Sequence, residues 1–189
     1  MIVTIKALAA MLSPPSAQFK AATWDIADAM LVEDLLTPEV RRQLLPLLDE
    51  IHEMELGRQQ ERFAAHFQRS RSLSLNLIEH LPTDEAGPAA HLDSCHLALL
   101  LDTLADRPLN EVRGVLADVA PVVEILALRL EALGSSYAGV FRALLHLAVQ
   151  GARTAHDAEG YFAYSRCPPG LTGCTGPTPA AAALHLPER

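Results

Sequence analysis

Glu79 and His80 stand side by side at the end of QRSRSLSLNLIEH and are the pair in this chain best equipped for acid–base chemistry. Arg69 and Arg71, just upstream, are equipped to hold an anion such as phosphate. Neighbouring residues on a helix point apart, however, and no nucleophile accompanies the pair, so a polar patch at a helix end is the plainer reading. Ion pairs from the arginines to Asp84 or Glu85 account for their charge equally well. A metal is the second chemistry to weigh. His91 and Cys95 are four apart, share a helix face, and with His96 could meet Glu79 or His80 across a loop. Against this, Cys95 and His96 are adjacent and diverge, and no second ligand pair repeats the spacing. A metal-binding helical protein is therefore the alternative reading. Cys167 and Cys174 frame CPPGLTGC, which is not the tight C-x-x-C of zinc ribbons or redox motifs. The chain has no glycine-rich phosphate loop, no G-x-S-x-G and no H-E-x-x-H, so no enzyme is expected and no bound cofactor or metal is predicted.

The frame that carries these residues is read from composition. In 189 residues, 50% hydrophobic but only 5% aromatic content points to Leu/Ala-rich helix packing in one small domain. The formal charge of -8 argues against duplex nucleic acid or an anionic membrane as partner and suits a basic peptide. Three cysteines without a dense framework fit reduced thiols in a cytoplasm. Met1 to Ala17 reads as a first helix more than a signal sequence. Asp118 and Glu124 interrupt the most apolar stretch, so a soluble chain without a membrane span is expected.

Along the chain, Ile5, Leu8, Ala9 and Leu12 repeat at helical spacing until Pro14-Pro15 stops the pattern. Ser16 caps a second helix bearing Phe19, Ala22, Ile26 and Met30, with Trp24 at its margin. Thr37-Pro38-Glu39 opens a third, with the threonine hydroxyl as cap and Leu44, Leu47, Leu48 and Ile51 as buried stripe. Arg58 to Phe67 forms a fourth, and a short break at Ser70 and Ser72 precedes SLSLNLIEH. LPTDEAGPA is a loop, followed by helices over Asp93 to Ala105, Asn110 to Leu133 and Ser136 to about His156. Gly134 is the C-cap between the last two, and Pro121 should kink or divide the longer one. The expectation is an all-α bundle of about 6–8 helices over residues 1–158, with a mobile Pro/Gly/Ala-rich tail at 159–189.

Three stretches, IKALAAMLSPPSAQFKAA, QERFAAHFQRSRSLSLNLIEH and APVVEILALRLEALGSSYAGVFRALLHLA, resemble the NarJ family, the maturation chaperones of respiratory nitrate reductase, related to the TorD-like chaperones of molybdoenzymes. The likeness runs in order over most of residues 5 to 150. Arg69, Arg71, Leu73, Ser74, Leu75, Glu79 and His80 match the family's R-x-R-x-L-S-L-x-L-x-E-H, and Tyr137 matches its S-x-Y-A. CHLALLLDTLA is similar to D-H-L-P-x-x-L-E-x-L-A through His96, Leu97 and Asp102, with Cys95 and Ala98 departing from the usual Asp and Pro. After the E-H pair, family members continue with H-G-E-S-R-D-R-G and a further helix, whereas LPTDEAGPAAHLDS here runs almost directly into CHLALL, so a central helix is missing.

The resemblance implies an all-helical cytoplasmic protein that binds the N-terminal segment of an apo molybdoenzyme catalytic (alpha) subunit and keeps it competent for molybdenum-cofactor insertion. The implied client-binding set is Arg69, Arg71, Leu75, Glu79, His80, His96, Asp102 and Tyr137. Client segments of this group tend to be short basic amphipathic helices, which a groove apolar at its floor and acidic at its rim would complement. An unperturbed imidazole at His80 or His96, titrating near ~6.5, would weaken such binding on protonation. A monomer or weak homodimer is expected, because a shortened bundle exposes a face that a second copy could cover.

Overall fold

The computed structural model describes residues 1–80 and 96–150. These fold as eight α-helices: α1 Val3–Met11, α2 Ala17–Ala21, α3 Thr23–Glu33, α4 Pro38–Glu53, α5 Leu56–Phe63, α6 Leu97–Leu104, α7 Leu109–Ala132, and α8 over residues 138–150. Among the described residues the all-α expectation holds, the sole β pairing being an isolated antiparallel bridge between Asn76 and His96. The boundary expected near residue 158 and the tail beyond it lie outside the described residues, as do Asp84, Glu85, His91, Cys95, Cys167 and Cys174.

Short-range signals act where they were read. The Ser16 hydroxyl accepts from the Phe19 amide at 3.1 Å and starts α2. Gly134, at φ 62°, ends α7 in a Schellman arrangement: its amide donates to Glu131 O, and the Ser135 amide donates to Leu130 O, both at 2.9 Å. The buried stripe of α4 is Leu44, Leu47, Leu48 and Ile51.

Four expectations are corrected. The helix after Ser16 is two helices, because the Thr23 hydroxyl donates to the carbonyls of Phe19 (3.1 Å) and Lys20 (2.9 Å) and turns the chain at Ala22. Thr37 precedes α4, but its side chain makes no capping bond, leaving Pro38 at the first helical position to set the start. Pro121 does not divide α7, and Pro46 does not divide α4; both rings are exposed on the solvent side of continuous helices. The fourth helix ends as an α-helix at Phe63 and widens into a π turn at Ala64–Gln68.

Long-range contacts join these elements. The Glu33 carboxylate, at the end of α3, accepts from the amides of Val3 (2.9 Å) and Thr4 (2.6 Å), satisfying the orphan donors of α1 from across the fold. The Ile2 amide donates to Ala105 O at 2.6 Å, so α1 is pinned to the end of α6. At the other end, α8 crosses α4 at Gly139, where any Cβ would run into the backbone of Gln43.

Candidate functional site

RSLSLNLIEH is not helix but an extended piece between two 3-10 turns, Arg71–Leu73 and Leu77–His80. Its alternating leucines explain the shape: Leu73, Leu75 and Leu77 are all buried, which a period of two allows only if the chain between them is extended. Each buried leucine contributes about 1.5–3 kcal/mol of apolar transfer, and that outweighs the helix the segment gives up. Backbone pairing completes the anchor, with the Leu97 amide donating to Leu75 O at 2.8 Å.

Polar bonds then fix the surface of the stretch. His80 Nε2 donates to the Ser74 carbonyl oxygen at 2.8 Å, and the Asn76 side-chain amide donates to Glu79 Oε1 at 3.2 Å. Arg129 of α7 donates from Nη1 to Ser72 O at 2.5 Å, tying the stretch to the long helix. Between them lies an open depression of about 420 Å³ lined by Arg71, Ser72, Glu79, His80, Ile125 and Arg129.

Of the residues singled out from sequence, the structure brings Arg71, Glu79 and His80 together at this depression. Leu75, 1% exposed, and Tyr137, 4% exposed, are core residues, so any part they take is to position their neighbours. The Tyr137 ring sits in an aromatic cluster, edge-on to Phe67 with centroids 5.0 Å apart, and burial pushes its hydroxyl up to about 12. Arg69 is exposed at the end of the π turn. His96 is half-buried at the start of α6, where burial lowers the pKa of its imidazole; it bridges to Asn76 without lining the depression. Asp102 faces α1 instead and pairs with Lys6 at 2.5 Å.

The rim also differs from expectation. Two arginines against one glutamate make it mixed in charge, not acidic. Arg129 and Ile125 were not foreseen as site residues. The signal for Ile125 is the breadth of apolar sequence on α7, where Val119, Val123, Leu126 and Leu130 suffice for a buried stripe while Ile125 and Leu128 remain 40% and 52% exposed; Arg129 has no such signal, since the packing of α7 against Ser72 brings it there.

His80 is committed to a backbone carbonyl and Glu79 to an amide, while Arg71 and the donors of Arg129 other than the one bonded to Ser72 O stand beside the exposed side chain of Ile125. Among the described residues no group of three or more His, Cys, Asp and Glu side chains is placed to hold a metal ion; His91 and Cys95, on which the metal reading rests, lie outside them. No helix of the described residues is long and apolar enough to cross a membrane. No protein-family model matches the chain, and no curated protein matches it.

Proposed function

We propose that the chain is a non-catalytic chaperone of the NarJ type, working in the cytoplasm on the N-terminal segment of an apo molybdoenzyme catalytic subunit and assisting molybdenum-cofactor insertion without holding a cofactor itself. The observation that carries this reading is the RSLSLNLIEH stretch. Its leucines and its internal hydrogen bonds spend themselves on holding Arg71, Glu79 and His80 at the edge of a surface depression, which is what a recognition element requires.

In this reading the client segment lies along the depression. Arg71 and Arg129 donate to its carbonyl or carboxylate oxygens, Glu79 accepts one cation, and Ile125 takes an apolar side chain. Calorimetry with the N-terminal peptide of a nitrate-reductase-type catalytic subunit from the same cell tests it. Binding should be saturable and should weaken at least tenfold in Arg71→Ala or Glu79→Ala with unchanged circular dichroism. Equal binding by both variants would remove the site, and no binding by the parent chain would remove the function.

A further inference from the structure

Gln59, near the start of α5, is 5% exposed. Its Nε2 donates to Ile51 O at 2.6 Å and to Met54 O at 2.7 Å, closing the end of α4 over the turn into α5. These two bonds fix the orientation of the amide, because turning it over would set Oε1 against two carbonyl oxygens. Oε1 itself is buried and accepts no hydrogen bond from any described residue. A buried acceptor is costly without a donor, so a native fold supplies one. Beside it is a small cavity of about 10 Å³, where Gln59 meets Glu50, Arg62 and Tyr137 among aliphatic neighbours. One water molecule needs roughly 10–15 Å³ of such space, and nothing larger fits.

The walls select the occupant by chemistry as well as by size. Gln59 Oε1 and the Glu50 carboxylate only accept, whereas the Arg62 guanidinium only donates. A cation is repelled by Arg62, and an anion is repelled by Glu50 and has no proton to give Gln59. The ion pair is also satisfied from its own side: Glu50 Oε2 accepts from Arg62 Nη1 at 2.6 Å and from Ser136 Oγ at 2.5 Å. The Tyr137 hydroxyl, which feels both charges of that pair, is the remaining donor at the cavity. An occupant that both gives and takes protons in this volume is water. We propose that the cavity is the binding site of one internal water, donating to Gln59 Oε1 and accepting from the Tyr137 hydroxyl. It joins α4, α5 and the turn before α8, the same elements that Glu50, Arg62 and Ser136 connect. Tyr137 then has a task for its hydroxyl inside the fold, one that involves no client and stands whether or not the chaperone reading does.

Two measurements on the full chain test this. A crystal structure that shows ordered solvent should place a single water within about 2.7–3.2 Å of both Gln59 Oε1 and the Tyr137 hydroxyl. In solution, the Tyr137 ring protons should show a nuclear Overhauser effect from long-lived water. Gln59→Met keeps the length of the side chain but removes the acceptor, so the water and the effect should both be lost. An effect that survives Gln59→Met would come from exchange of the hydroxyl proton and would overturn the site. Because that variant also gives up the bonds to Ile51 and Met54, Tyr137→Phe is the second one. It removes only the hydroxyl, and the water should leave its place; a water unmoved would overturn the part given to Tyr137. An empty cavity in the parent chain, or a Tyr137 hydroxyl bonded directly to Gln59 Oε1, would overturn the proposal outright.

Discussion

His80 Nε2 donates to the carbonyl oxygen of Ser74 across 2.8 Å, closing RSLSLNLIEH on itself around the buried leucines 75 and 77. Ser74 is itself buried, so losing this donor strands a carbonyl that water reaches poorly. His80→Ala should lower stability by about 1 kcal/mol in chemical denaturation. It should also quicken amide exchange at residues 74–80 while leaving α1 to α4 untouched. Unaltered exchange there would mean that the bond is incidental to the shape of the stretch.

Gly139 and Gly114 make opposite demands. A Cβ at Gly139 meets the Gln43 carbonyl, where α8 touches α4 backbone to backbone, so Gly139→Ala should destabilise the bundle by about 3 kcal/mol. At Gly114, in the second turn of α7, a Cβ meets nothing within 4 Å, so Gly114→Ala should stabilise by about 0.5–1 kcal/mol. Thermal melts of the two variants check both signs. Similar melting points for the pair would contradict the packing described for α4 and α8.

Stability should decline on mild acidification. Burial, and then the Arg62 guanidinium, lower the pKa of His66 below its ordinary value of 6.5, and burial lowers that of His96. In the unfolded chain both regain the ordinary value, so the unfolded state binds more protons in the window below about pH 6.5. The stabilisation is complete above that pH and is lost as pH falls through the lowered folded values. Denaturation midpoints taken from about pH 7.5 down to 5.5 should fall, and His66→Gln should flatten the slope. A slope unchanged by that substitution would show that His66 binds protons alike in the folded and unfolded chain.

What could be read from sequence was local. Ser16 caps the residue three ahead of it, and Gly134 relieves a left-handed turn at its own position, so short-range chemistry betrays both. The cap of α1 comes instead from Glu33, some thirty residues away, and no window of sequence around Val3 contains it. RSLSLNLIEH was legible as special but not as extended, because helical neighbours on both sides set the expectation while the period-two leucines, Leu73, Leu75 and Leu77, decided the outcome. At the site, Arg71, Glu79 and His80 were legible because they lie in one stretch. Arg129 reaches it from α7 through a bond to Ser72 O, and Asp102 turns away to Lys6; both depend on how helices pack.

Hydrogen exchange of the full chain, with and without the N-terminal peptide of a nitrate-reductase-type catalytic subunit, tests the central claim most directly. A segment docked in the depression should slow exchange at residues 71–80 and along α7 around 122–130, with protection lost in Arg71→Ala. Protection that leaves residues 71–80 unchanged, or none at peptide concentrations well above the micromolar range, would contradict it.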